Sequence, residues 1–285
     1  MAAGGKNDMA GNYFSDDKVF PWACFLAVAA AELMIAFDKA FAGLILYFIL
    51  LAVVFIQSIR SYPYIQVNAA QDAVDATLGR VLPDSRTRFY LALMLVYMIR
   101  VVGLPLFLVD FSMAYRLILV GLPLFTAAFL IIRFAGYNVQ DIYLTISFPL
   151  FYFLSLQLII GITGIPLGLL EHKLLATTPA QLTSLFSLGK AAFILVCFSG
   201  FLEELIFRGV LLRAAGDHMG YITGSIYASC LFAALQIPRL IFLEVVFAFL
   251  VGLLFCWMVR RTGSIWGVAL AHGLMNMILY LDLFF

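Results

Sequence analysis

Charge is what this chain has least of. Asp, Glu, Lys and Arg make up 12% of its 285 residues, hydrophobic residues make up 65%, and mean hydropathy is +1.07. A soluble domain carries about 25% charged residues, so a water-facing globular surface is excluded and an integral membrane protein is expected. The formal net charge of +1 provides no basic field for nucleic acid. Histidine is scarce at three residues, and the four cysteines, Cys24, Cys197, Cys230 and Cys256, lie far apart inside apolar runs. None has the CxxC spacing of a zinc site, and they read as packing residues. No internal repeat or low-complexity tract is visible, so a transporter built of two inverted halves has no support. Residues 1–19 are glycine-rich and of mixed charge, without a basic segment leading to a cleavage site, and predict a disordered cytoplasmic leader rather than a signal peptide.

What the chain does have is long apolar runs. A bilayer core of about 30 Å takes roughly 18 or more apolar residues as a helix. Runs that fit are 20–37, 41–59, 89–109, 115–132, 146–169, 188–207, 221–237, 240–259 and 264–284. They predict an all-α polytopic transmembrane helix bundle of nine spans, or eight if the first two merge across Asp38, Lys39 and Ala40. Counting basic residues in the connections, nine spans with the N-terminus inside place eleven on the cytoplasmic side: Lys6, Lys18, Arg60, Arg80, Arg86, Arg88, Arg133, Arg208, Arg213, Arg260 and Arg261. Five fall outside, Lys39, Arg116, Lys173, Lys190 and Arg239, which favours a cytoplasmic N-terminus. Polar stretches at 60–88, 136–147 and 171–187 read as loops, the first as the largest cytoplasmic one. Gly164 and Gly168 have the small-xxx-small spacing that lets helices approach closely in lipid.

Three runs carry polar groups that lipid would not tolerate without a purpose. In FLEELIFRG, Glu204 and Arg208 stand at i and i+4 with the acid first, the favourable order for an ion pair on one helix face. Glu203 has Ile206 and Phe207 at i+3 and i+4 and is expected in an apolar setting, where a carboxylate becomes useful as a general base. In LAHGLMNMI, His272 and Asn276 share a helix face and could hold a developing oxyanion between them. In LFAALQIPR, Gln236 follows Phe232 by four; by itself it reads as interhelical glue. Glu32, Arg100 and Asp110 lie within or at the ends of spans and read as a structural ion-pair set; they are the sole support for a channel or transporter.

EELIFRG, FAALQ and HGLMN occur in this order on separate helices within about 75 residues. The set resembles the CPBP family, the CAAX-protease and bacteriocin-processing group of glutamic intramembrane endopeptidases, whose signature is EExxxR, FxxxH and HxxxN or HxxxD. The likeness runs from about Cys197 to Asn276 and implies a catalytic core over 146–285, with 20–145 as N-terminal transmembrane helices outside it. It implies that Glu203 activates a water, that Glu204 and Arg208 orient the site, and that His272 and Asn276 stabilise the oxyanion. At the FxxxH histidine this chain has Gln236, whose amide cannot accept a proton as imidazole does. His172 and His218 lie in or next to loops and do not replace it.

Catalytic zinc needs three protein ligands; Glu203, Glu204 and His272 remain without a second histidine, so neither a metal nor a cofactor is expected. The expected activity is endoproteolysis of a membrane-associated or prenylated protein or peptide, in a cytoplasmic membrane of the prokaryotic kind. The alternative is a catalytically impaired CPBP-fold binding protein, such as an immunity factor, an assembly factor or a subunit of a larger membrane complex.

Overall fold

A computed structural model describes residues 10–61, 83–106, 109, 111–175 and 185–281. The described residues are helical almost throughout: α1 (Ala10–Ala36), α2 (Ala40–Ser61), α3 (Ser85–Leu106), α4 (Met113–Ala135), α5 (Leu150–Ile162), α6 (Gly164–Leu175), a long compound α7 (185–219), α8 (Tyr221–Ala234), α9 (Phe242–Thr262) and α10 (Trp266–Leu281). Each apolar run of the sequence is thus largely helix. Asp38, in the left-handed region at φ 59°, turns the chain between α1 and α2, so the two do not merge.

Six of these segments are long and apolar enough to cross a bilayer: Val19–Ala36, Ala40–Ser61, Ser85–Leu106, Ala114–Ala135, Leu150–Leu175 and Phe242–Thr262. Among the described residues, six of the nine expected runs meet this measure. The remaining three are α7, whose regular hydrogen bonding is interrupted, and α8 and α10, which have 14 and 16 residues. The run 221–237 includes the turn after α8, and 264–284 includes Ser264 and Ile265 before α10 and extends past the described residues. The run 146–169 is likewise split, since α5 starts at Leu150 and Thr163 separates it from α6. The predicted leader lies outside the described residues up to residue 9, and α1 begins inside it at Ala10. Most of the 60–88 loop, and Asp110, also lie outside them.

Phe41, Phe129, Phe148 and Phe151 are among many large apolar side chains facing outward, the pattern expected where the surrounding solvent is lipid. Apolar burial gives little drive between helices there, so close packing must supply it. Three glycines show how. A Cβ at Gly164 would lie 2.1 Å from the Ala271 carbonyl oxygen, one at Gly168 would lie 2.9 Å from the Met275 Cα, and one at Gly200 would lie 2.6 Å from the Gly273 nitrogen. These contacts press α6 and α7 against α10 from two sides. At the start of α10 the Gly267 N–H donates to the Gln157 side chain of α5 over 2.6 Å. The first half is tied in through α8: Tyr227 donates its hydroxyl to the Pro21 carbonyl (3.0 Å) and packs edge-on to Trp22. The stretch 136–147 lies along the α9–α10 turn, where Ile265 N–H donates to the Tyr143 carbonyl over 2.9 Å.

Candidate active site

Compound helix α7 carries the Glu-Glu-Arg sequence. Two π-helical stretches, Val196–Phe201 and Leu205–Leu211, flank the single α-helical turn Leu202–Glu204. Each π segment gives up the i→i−4 ladder locally, a deviation that concentrates at functional sites. The helix continues to Met219, so Glu203 and Glu204 are well inside it, as the sequence implied.

Glu204 is fully buried and faces α10. Its Oε1 accepts from Arg208 Nη1 at 2.9 Å and from His272 Nδ1 at 2.8 Å. Arg208, 1% exposed, has its guanidinium carbon 4.3 Å from the Phe232 ring centroid and 5.5 Å from that of Phe255. Phe232 in turn meets the His272 ring edge-on at 5.8 Å. The phenylalanine that opens FAALQ is therefore a wall shared by the arginine and the histidine.

Glu203 differs from the apolar setting its neighbours suggested. Its side chain is 32% exposed and opens on a cavity of about 270 Å³. Ser199, one turn back on α7, donates its hydroxyl to Glu203 Oε1 at 3.1 Å, and Asn276 donates its amide to the Ser199 oxygen at 2.8 Å. The other carboxylate oxygen, Oε2, is 4.0 Å from His272 Nε2. Gln236, Ser199, His272 and Asn276 line the cavity with Glu203. All six candidate residues are thus brought together, with Glu203, Gln236, His272 and Asn276 on the cavity wall and Glu204 with Arg208 behind it.

Residues 186–278 match the family model of the Type II CAAX prenyl endopeptidase, Rce1-like. This segment is of the CAAX-protease family. No curated protein and no solved structure matches the chain. The match supports a CAAX-type intramembrane protease kind of function and covers α7 to α10, which are the elements that hold the site. Helices α5 and α6 precede it, yet both pack on α10.

The CAAX-protease segment does not close its cavity alone. Ile99 and Arg100 of α3, Leu117 of α4 and Glu171 of α6 complete the lining. Arg100 donates Nε to Glu32 over 2.7 Å and a further N–H to the Leu235 carbonyl, while Tyr47 donates its hydroxyl to the same Glu32. Two members of the proposed Glu32–Arg100–Asp110 set thus pair, and Asp110 falls outside the described residues.

Sequence reasoning missed Ser199 and Glu171. Ser199 carried a signal, being i−4 from Glu203 on the same face. Glu171 was taken into the polar stretch 171–187, whereas α6 carries helix through to Leu175. His218 stacks on Phe89, 5.0 Å between ring centroids, and neither it nor His172 lines the cavity. The four cysteines are free, with Cys24 and Cys256 buried. Among the described residues, no three His, Cys, Asp or Glu side chains are grouped to hold a metal ion.

Proposed function

We propose that this integral membrane protein is a CAAX-type intramembrane endopeptidase in which Glu203 is the general base toward water. The proposed substrate is a membrane-associated or prenylated peptide entering from the cytoplasmic side, where the basic-residue count puts the N-terminus. One observation carries the reading: of the two motif carboxylates, Glu203 alone opens on the cavity, with one oxygen fixed by Ser199 and the other facing His272 Nε2 across 4.0 Å.

That gap is too long for a direct hydrogen bond and suits a shared water. A molecule about 2.8 Å from both atoms would subtend roughly 90° at its oxygen, near the angle its two hydrogens span. Because Glu204 accepts from His272 Nδ1, neutral imidazole keeps its proton there and presents Nε2 as an acceptor. The water's hydrogens then point at Glu203 and His272, and its lone pairs point into the cavity. As the water oxygen attacks a peptide carbonyl, Glu203 takes its proton, and the remaining Asn276 N–H and the Gln236 amide are available to the developing oxyanion. Glu204 and Arg208 hold the imidazole without touching substrate.

The test is hydrolysis of a farnesylated C-a-a-X peptide by protein reconstituted in lipid vesicles. Glu203→Gln is expected to lower kcat by about 10²–10⁴-fold. Cleavage that survives this change refutes Glu203 as the general base, and wild type inert on such peptides refutes the protease reading. The glutamine at position 236 favours a second reading, a membrane binding protein with impaired catalysis. Wild type that is inert, with cleavage created by Gln236→His, would establish it.

A further inference from the structure

Hydrolysis of an amide needs two proton transfers, one from the attacking water and one to the departing amine. Glu203 serves the first. Among the motif residues, Glu203 holds the first proton beside Ser199 and His272 Nε2, His272 Nδ1 is held by Glu204, and the side-chain amide of Gln236 has no acidic proton to give.

Glu171 lines the same cavity. It lies three residues beyond Gly168 on α6, hence on the face that the Gly168–Met275 contact presses against α10. The residue is half-buried, and its carboxyl group makes no hydrogen bond or ion pair with another described residue. His272 on α10, Arg239 after α8 and Glu203 on α7 line the cavity with it, and Glu244 on α9 is near enough to act on its charge. The two cations have other commitments, since Arg239 pairs with Glu244 and His272 with Glu204. A carboxyl group that pairs with no basic side chain among the described residues, facing a second carboxylate across one cavity, fits the division into acid and base by which two carboxyl groups take different roles.

Building on the Glu203 reading, we infer that Glu171 is the catalytic proton donor to the leaving amine. Glu203 accepts a proton as the water oxygen bonds to the scissile carbon and the carbonyl π pair moves onto its oxygen. When that pair returns, the C–N bond breaks, its electrons stay on nitrogen, and nitrogen takes the proton of Glu171. The proton on Glu203 then passes through cavity water to Glu171. One water is consumed, one acid and one amine are released, and both carboxyl groups return to their starting states.

The test compares the farnesylated peptide with an analogue bearing a thioester at the scissile bond, because a thiolate leaves without being protonated. Glu171→Gln is expected to lower kcat on the amide by about 10²-fold or more while leaving thioester hydrolysis within about threefold of wild type. The alkaline limb of the kcat/KM profile for the amide should disappear with it. Glu171→Asp keeps an acid at altered reach and should show a smaller loss, again selective for the amide; it carries the test if the glutamine variant does not fold. Equal losses on both substrates, or an unchanged amide rate, overturn the inference. Glu203→Gln must lose both substrates. If it does not, the general-base reading fails first, whatever the result at Glu171.

Discussion

Glu203 and Glu204 are neighbours in sequence, and the structure predicts that they fail in different ways when neutralised. Glu204 is fully buried against Arg208, 1% exposed, and His272. Replacing it with Gln keeps the shape and strips the charge, leaving a guanidinium in an enclosure of Phe232, Phe255 and Phe207. Each cation–π contact contributes about 0.5–2 kcal/mol, against a desolvation cost of several kcal/mol for the unpaired ion. The cost wins, and Glu204→Gln should destabilise the protein by about 3–5 kcal/mol. For a chain of this size that corresponds to a melting temperature lower by roughly 6–20 °C. Arg208→Met should destabilise as well, while the double variant, which removes both charges and fills the space, should recover most of the loss. The cycle is read by thermal unfolding in one detergent, with Glu203→Gln as control; its carboxylate is partly exposed and its removal should shift the melt little. Additive losses in the double variant, or a Glu203→Gln shift as large as that of Glu204→Gln, would refute the assignment of Glu204 as the buried counter-ion.

Further outcomes follow from the same geometry. Ser199→Ala removes one hydrogen bond to Glu203 and leaves the Asn276 amide without its acceptor, so peptide cleavage should fall about tenfold with little change in melting, consistent with about 1–1.5 kcal/mol for such a bond; an unchanged rate would remove Ser199 from the site. Gly164→Ala puts a methyl group 2.1 Å from the Ala271 carbonyl oxygen, which is backbone and cannot rotate away. The helices must separate, at a cost of about 1–3 kcal/mol or more, and because His272 is the next residue, cleavage should fall together with the melting temperature. Glu32→Gln should lower cleavage although Glu32 does not line the cavity, since Arg100 then loses the partner that holds it on the Leu235 carbonyl. Activity equal to wild type in that variant would detach the first helices from the chemistry.

What could be read from sequence divides by whether one helix or several decide it. Glu204 with Arg208, and His272 with Asn276, are i, i+4 pairs, and a helix's own geometry puts each pair on one face. That Oε1 of Glu204 also receives His272, 68 residues on, is decided by glycines that bring α7 against α10. Spacing within one run carries no such information. Glu203 was misjudged by looking only forward: Ile206 and Phe207 are apolar, but a helix face extends backward as well, and Ser199 is there. Glu171 was hidden by hydropathy. Gly164 to Leu175 carries Glu-His-Lys in its last turn and a half, and averaging over those charges cut the helix short, although a lipid-facing helix can keep polar residues where they face a cavity. Hydropathy acted in the opposite direction at α8, where the apolar turn residues Leu235 and Ile237 read as its continuation.

The first half of the chain, silent in the motifs, acquires a role from one contact. Helix α8 ends at Ala234, and the residues after it turn sharply, with Gln236 leading into the 3₁₀ turn Ile237–Arg239 and Leu240 in the left-handed region at φ 56°. Carbonyls at a helix C-terminus lack intrahelical donors and carry the negative end of its dipole. Arg100 of α3 supplies a donor to the Leu235 carbonyl and is itself held by buried Glu32 of α1, which also receives Tyr47 of α2. Three helices from outside the CAAX-protease segment therefore converge, through one guanidinium, on the peptide immediately before Gln236. A histidine at that position could do chemistry through its ring. A glutamine has only its direction to offer, as a hydrogen-bond donor aimed into the cavity, and direction is what an anchored backbone provides. If Gln236 acts, it should depend on Arg100 more strongly than a histidine would, so restoring the histidine in a Glu32→Gln background should relieve part of the loss that Glu32→Gln causes alone.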